Sequence, residues 1–207
     1  HFWPAMAVVV LFALSCSHST TTTTRRSFVA SSSALIALPR AVVAAPTSVY
    51  TDAASGVSFS YPSDWALDKK TLDRAQLPLV IVSKSGAGPS GTAPAYAFLA
   101  INSIRGDYMS LGSFGSPADV LATLVPPAGT PGVTSRVLAS ANKGKTYEFE
   151  YVLEFESGPT RHLRTAFGLS SSPTGADFLV TLTAQAEEPG YADVKAELDA
   201  IVASMRF

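Results

Sequence analysis

Residues 113–122 read Ser113-Phe114-Gly115-Ser116-Pro117-Ala118-Asp119-Val120-Leu121-Ala122, and this stretch predicts the start of a helix. Ser116 suits the N-cap and Pro117 suits the first helical position. Asp119 completes a Ser-x-x-Asp capping box and favours the positive end of the helix dipole. The helix should end two residues before the Pro126-Pro127 pair, because neither proline can continue it.

The strongest strand signal follows at residues 147–155, where large side chains recur at every second position. One face carries Tyr147, Phe149, Tyr151, Leu153 and Phe155. With Val152 as the exception, the other face carries Glu148, Glu150, Glu154 and Glu156. This alternation predicts one face in the core and one in water. The glutamates could bind calcium or a basic partner, but the favoured interpretation is a solvated row paired with Arg161 and Arg164 across the next strand.

The other predicted elements complete an α+β domain. Further strands are predicted at residues 57–61, 79–83, 96–104, 162–169 and 178–184, the first stopped by Pro62. A final helix is predicted at 191–204, with an apolar stripe formed by Tyr191, Val194, Leu198, Ile201 and Met205. Trp65, just after the first strand, is expected in the core. Strands that dominate the middle of the chain, with helices interrupting them, predict an antiparallel sheet covered by helices.

The charged residues are distributed unevenly along the 207 residues. Arg25, Arg26 and Arg40 are the only charged side chains before Asp52, so the rest carries 12 basic and 16 acidic residues. A basic, acid-free segment ahead of a mildly acidic body is typical of a targeting leader. The body has no basic excess, which argues against nucleic-acid binding.

The predicted leader, residues 1–44, has the features of two signals in series. The chain begins with His1, and Met6 is a possible true start. A short apolar run and a Ser/Thr-rich tract precede a twin-arginine export signal at 25–44, with cleavage expected after Ala44. An ordinary secretory signal with chance arginines is the alternative. Neither apolar run reaches about 18 residues, so no transmembrane span is predicted.

The predicted domain, residues 45–207, has few residues suited to catalysis. The single cysteine, Cys16, lies in the leader, and His162 is the only histidine of the body. No Gly-x-Ser-x-Gly motif accompanies it. The glycine-rich segment 86–91 lacks the lysine of a phosphate-binding loop and is interpreted as a flexible loop. These observations argue against the alternative of a hydrolase.

Four stretches in order resemble the PsbP family, extrinsic proteins of photosystem II and their relatives. They are Tyr61-Pro62-Ser63-Asp64-Trp65, residues 114–122, residues 144–149 leading to Arg161-His162-Leu163, and residues 178–186 before the C-terminal Ser204-Met205-Arg206-Phe207. The resemblance covers roughly residues 50 to 207.

The resemblance implies an α-β-α sandwich around a central antiparallel sheet, and a binding role without catalysis in the chloroplast thylakoid lumen. Family members dock on the lumenal face of photosystem II or photosystem I, and the photosystem II member helps to retain calcium and chloride. The short segment after Ala45 and the acidic body differ from that member, and this weakens the ion-retention role. The alternative is a free lumenal assembly factor for photosystem I or another thylakoid complex. A nuclear-import factor of similar architecture is disfavoured by the leader.

The resemblance also implies a metal site. In the family, a histidine on this strand and an acidic residue after the Ala-Gln-Ala strand have been linked to divalent metal binding. His162 matches the first position, and Glu188 or Glu187 matches the second, where the family has aspartate. No tightly bound cofactor is expected, and a weak Ca, Mn or Zn ion is the hypothesis. The alternative is that His162 lies on a solvated strand face and pairs with glutamates opposite.

Overall fold

The computed structural model describes residues 46–72, 77–86, 88, 94–104, 108, 110–172 and 174–207. The predicted leader, residues 1–44, and its boundary with the domain lie outside these residues. The described strands are β1 (Thr47–Thr51), β2 (Ser58–Pro62), β3 (Ala66–Leu72), β4 (Leu77–Ser83), β5 (Ala95–Ile104), β6 (Val133–Asn142), β7 (Thr146–Phe155), β8 (Arg161–Ser171) and β9 (Asp177–Glu187). The helices are α1 (Pro117–Leu124) and α2 (Glu188–Ala203), with a short 3-10 helix at Leu111–Phe114.

The helix predicted from residues 113–122 is confirmed as α1, and its start is stabilised as the sequence indicates. The Asp119 amide donates to the Ser116 hydroxyl at 3.3 Å, and the Ser116 amide donates to the Asp119 carboxylate at 2.8 Å. Gly115 precedes the cap at φ +99°, and a Cβ there would lie 2.8 Å from that of Asp119. Phe114 anchors the segment by an edge contact with Phe167, at 5.6 Å between ring centroids. The motif therefore combines a local cap with one long-range aromatic contact.

The sheet is antiparallel, with strand order β3-β4-β5-β9-β8-β7-β6, and β1 and β2 form a separate hairpin. On one face α2 packs against β9, β8 and β5 and also contacts β2. This larger core includes Val57, Phe59, Trp65, Leu99, Leu182 and Leu198. On the other face α1 packs against β6 and β7, over a core that includes Val120, Phe149, Phe167 and Leu179. The α+β fold, with helices on both faces of an antiparallel sheet, is confirmed.

The prediction that one face of the strand at 147–155 lies in water is wrong in part. On the glutamate-bearing face, Val152 is fully buried and Glu150 is half-buried, because α2 covers the neighbouring strands. Only toward the end of this face are Glu154 and Glu156 exposed. Trp65 is 4% exposed, so its predicted place in the core is confirmed.

Three strands and several boundaries differ from the sequence-based expectation. β1, β3 and β6 coincide with none of the predicted strands; β1 belongs to the separate hairpin, and β3 and β6 are the outermost strands of the large sheet. An edge strand has a neighbour on one side only, so its pattern of apolar residues is weak. Pro62 was expected to lie just after the first predicted strand, but it is the last residue of β2 and pairs with Thr47 in the two-stranded hairpin. α2 begins at Glu188, three residues earlier than predicted.

Candidate functional site

His162 lies at the centre of a polar cluster between β7, β8 and the start of α2. The register places it opposite Val152 on β7 and Ala186 on β9, and its side chain faces the layer of α2. Its Nδ1 lies 2.8 Å from an oxygen of Glu188, and its Nε2 lies 2.9 Å from an oxygen of Glu150. The residue is 5% exposed, so the interpretation of His162 on a solvated face is wrong. Its pairing with a glutamate opposite is confirmed.

Tyr191 forms the lid of this cluster. Its ring stacks on the imidazole of His162 with 3.5 Å between centroids and 5° between planes. Its hydroxyl donates to the Glu150 carboxylate at 3.2 Å. Burial, together with the negative charges of Glu150 and Asp199, raises the pKa of Tyr191. The phenol therefore stays protonated and remains a donor.

Arg164 links the cluster to the middle of α2. Its guanidinium lies 2.9 Å from Asp199, 3.4 Å from Glu150 and 4.0 Å from Glu148. Lys195 contacts the second oxygen of Asp199 at 2.6 Å. The predicted pairing of Arg164 with the glutamate row is thus confirmed, and the aspartate on α2 is an additional partner.

The Glu150 carboxylate is held in its ionised form by these neighbours. Burial raises its pKa, but the hydrogen bond with His162, the charge of Arg164, the hydroxyl of Tyr191 and the charge of Lys195 together outweigh burial. The net effect places the pKa of Glu150 below its ordinary value. A charged carboxylate therefore fits between these donors at neutral pH.

Arg161 and Glu187 lie on the opposite face of the sheet. They are register partners on β8 and β9, with 3.8 Å between the guanidinium and the carboxylate, and their side chains are 6% and 1% exposed. Arg161 also lies over the ring of Tyr96, at 5.6 Å from its centroid. The structure therefore brings Glu188, but not Glu187, to His162. The predicted pairing of Arg161 with the glutamate row of β7 is wrong, because successive residues on a strand point to opposite faces.

The geometry allows a metal ion only after a small rearrangement. Among the described residues, no group of three or more His, Cys, Asp or Glu side chains is arranged to hold one. Both nitrogens of His162 are occupied by hydrogen bonds to carboxylates. A tetrahedral metal shared by an imidazole nitrogen and a carboxylate oxygen needs these atoms about 3.4 Å apart. The observed separation of 2.8 Å would have to widen, and Glu188, with its side chain 40% exposed, has room to move.

Sequence reasoning found His162, Glu150, Glu188 and Arg164, but it missed the contribution of α2. Tyr191 was assigned to the apolar stripe of the last helix, and Asp199 was not considered. The available signal was helical spacing, because Glu188, Tyr191, Lys195 and Asp199 recur at intervals of three and four and share one face of α2.

In the described part of the chain, neither helix is long and apolar enough to cross a membrane.

Comparisons with known proteins agree with this architecture. The PsbP family model matches residues 45–207. PsbP domain-containing protein 3, chloroplastic, from Arabidopsis thaliana is 26% identical over 164 residues, which cover 77% of this chain and 64% of that protein. The chain thus spans less than two thirds of the length of this relative.

The fold has a solved counterpart. The solution structure of cyanobacterial PsbP from Synechocystis sp. PCC 6803 superposes with a TM-score of 0.58 at 18% sequence identity, covering 83% of this chain and 98% of that one. At this identity the likeness concerns the fold alone. The family model, by contrast, covers the whole of the folded domain, and on that evidence the chain belongs to the PsbP family.

Proposed function

We propose that this protein is a non-catalytic accessory protein of the chloroplast thylakoid lumen that binds photosystem II as an extrinsic PsbP-like protein and supports its assembly or stability. The observation that carries the proposal is the PsbP family match over residues 45–207. The chloroplastic PsbP-domain relative from Arabidopsis supports the compartment. The leader supports the route into the lumen, because Arg25-Arg26 and the small residues before Ala45 suit twin-arginine export.

The site supports binding rather than catalysis. A general base needs a nitrogen or carboxylate within reach of a substrate proton. His162 has both nitrogens engaged by carboxylates and is covered by the ring of Tyr191. The carboxylates of the cluster are engaged by His162, Tyr191 and Arg164. Such a cluster holds α2 on the sheet and fixes the shape of the surface around it.

The test is the distribution of the protein among thylakoid complexes. Thylakoids would be separated by blue-native electrophoresis and probed for this chain. Co-migration with photosystem II or one of its assembly intermediates is the expected result. Co-migration with photosystem I, or migration as a free lumenal protein, would favour the alternative of an assembly factor for another complex. Absence from thylakoids would overturn the proposal. Calcium and chloride retention would be scored as the ion requirement of oxygen evolution in lines that lack the protein.

The import route has its own test. Replacing both residues of Arg25-Arg26 by lysine keeps the positive charge but removes the twin-arginine signal, which a receptor reads. Import into isolated chloroplasts should then stop before the lumen, whereas the unaltered chain should appear in the lumen as a shorter form cleaved after Ala44. Lumenal accumulation of the double variant would favour an ordinary secretory signal.

We also propose that His162 and Glu188 hold a divalent ion weakly, with water completing its coordination. Their contact at 2.8 Å and the partial exposure of Glu188 support this. An imidazole ligand favours Mn or Zn over Ca, which prefers oxygen ligands throughout. Calorimetric titration with Zn²⁺ should give binding that Glu188→Gln abolishes and Glu154→Gln, an exposed glutamate of β7, leaves unchanged. Equal binding by both variants would contradict the site.

A further inference from the structure

β6 is an edge strand with an unusually open surface. It lies at one end of the large sheet and pairs with β7. Residues 136–140 are all exposed, and they include the apolar side chains of Val137 (45%) and Leu138 (42%). Arg136 is the only charged residue of β6, whereas β3, at the other end of the sheet, carries charges on three successive residues, 68–70. Proteins commonly protect an edge by placing charges on it, so β3 is protected and β6 is left open to pairing.

The backbone groups that face the open edge follow from two hydrogen bonds at the ends of β6. The Lys143 amide donates to the Thr146 carbonyl, and the Glu156 amide donates to the Gly132 carbonyl. Along an antiparallel strand, residues whose backbone amide and carbonyl point toward the neighbouring strand alternate with residues whose amide and carbonyl point away from it. A bulge after Val137 shifts this alternation by one residue. The residues whose backbone groups point away from β7 are therefore Val133, Ser135, Val137, Ser140 and Asn142. Of these, the Val133 amide already donates to the Thr130 carbonyl at 3.4 Å, so only its carbonyl is left for pairing.

We propose that β6 is the interface for a second copy of this chain, and that the two β6 strands pair antiparallel about a two-fold axis between Val137 and Leu138. In this register Ser135 lies opposite the partner's Ser140, and Val133 lies opposite the partner's Asn142. Ser135 and Ser140 can exchange both ladder hydrogen bonds, and the Val133 carbonyl can accept from the partner's Asn142 amide, in both halves of the dimer. The pairing joins the two seven-stranded sheets into one continuous sheet.

Charge complementarity favours a second copy as the occupant. Arg136 lies opposite Val152, and in the described residues it forms no ion pair. In the dimer Arg136 lies beside the partner's Ala139, because the bulge puts these two residues on the same face. Ala139 pairs with Glu150 within its own chain. The short alanine lets the guanidinium of Arg136 extend toward the partner's Glu150, and the symmetry repeats this contact.

The centre of the interface accounts for the exposed apolar residues. Val137 and Leu138 of both copies meet at the axis and cover each other. One pair of strands buries less surface than a standard protein interface. We therefore expect a weak dimer with a dissociation constant in the micromolar range or above. This interface touches the cluster around His162 only through Glu150, and it does not depend on the photosystem partner.

The test is sedimentation velocity of the purified protein from about 1 μM to about 1 mM. Wild type should pass from monomer to dimer across this range. Arg136→Glu should weaken the dimer about tenfold, because it replaces two ion pairs by two like-charge contacts. The matched control is Lys70→Glu, which makes the same charge change on β3, the other edge strand, and should leave the dimer unchanged.

A backbone variant checks the register independently. Ser140→Pro removes an amide that points away from β7, so the fold should persist while pairing to the second copy is lost. Circular dichroism and thermal melting would establish that each variant is folded. A monomer at every concentration would overturn the proposal, as would a dimer that responds equally to Arg136→Glu and Lys70→Glu. A variant of Ser140 that is folded and still dimeric would exclude this register.

Discussion

Replacing Glu150 by glutamine tests whether the polar cluster under α2 stabilises the fold. The change keeps the shape of the side chain and removes its charge. Glu150 accepts hydrogen bonds from His162 at 2.9 Å and from Tyr191 at 3.2 Å. A bond to a charged group contributes about 1.5–3 kcal/mol and a neutral one about 0.5–1.5 kcal/mol, so the two bonds together lose about 2 kcal/mol. The longer contact with Arg164, at 3.4 Å, is partly exposed and adds little.

The stability difference between wild type and Glu150→Gln should depend on pH. The pKa of Glu150 is lower in the folded chain than its ordinary value. Its contribution to the free energy of unfolding is therefore fully present above the ordinary glutamate pKa of about 4.3, and is lost as the pH falls through the lowered folded value. The difference should be largest near neutral pH and should shrink in acid below about pH 4.

The assay is urea unfolding followed by circular dichroism at a series of pH values. The matched control is Glu154→Gln, an exposed glutamate on the same face of β7, which should change the free energy of unfolding by less than about 0.5 kcal/mol. Two results would refute the reasoning. One is equal stability of the two variants at neutral pH, and the other is a gap that stays constant as the pH is lowered.

Three further predictions concern other parts of the fold. Ser116→Ala should lower the free energy of unfolding by about 1 kcal/mol through loss of the N-cap, whereas Ser116→Asp should keep most of it; equal losses in chemical unfolding would argue against the cap. Arg161→Met removes the guanidinium next to the buried Glu187 and should cost about 3–5 kcal/mol, and an Arg161→Met/Glu187→Gln double variant should recover part of this loss. Gly168→Ala directs a Cβ into the ring of Phe207 and should cost about 1–3 kcal/mol. In a Phe207→Ala background the same change should cost less, and additive costs in a double-mutant cycle would contradict this packing.

The cluster shows how far sequence reasoning reaches at this site. His162 and Glu188 were paired through the family resemblance, and Glu150 and Arg164 were found from the alternation of β7 and the neighbouring position of β8. The alternation of apolar residues and glutamates along β7 could not show that α2 covers the glutamate-bearing face, so that part of the predicted solvated row is a half-buried cluster. Tyr191 was predicted to be buried, and it is, but its stacking on His162 depends on where α2 docks. The face of the sheet on which Glu187 lies could be worked out only once the end of β9 is known, because successive residues of a strand point to opposite faces.

What the sequence determined alone is local. The start of α1 depends on hydrogen bonds between Ser116 and Asp119, three residues apart, and any chain with this spacing can form them before tertiary contacts exist. The tertiary structure decided the rest. Glu150 meets His162 across 12 residues and Tyr191 across 41, and these contacts exist only once the register of β7 on β8 and the docking of α2 are set. Hydrogen bonds within one turn are encoded in adjacent residues, whereas register and docking depend on burial of the whole core.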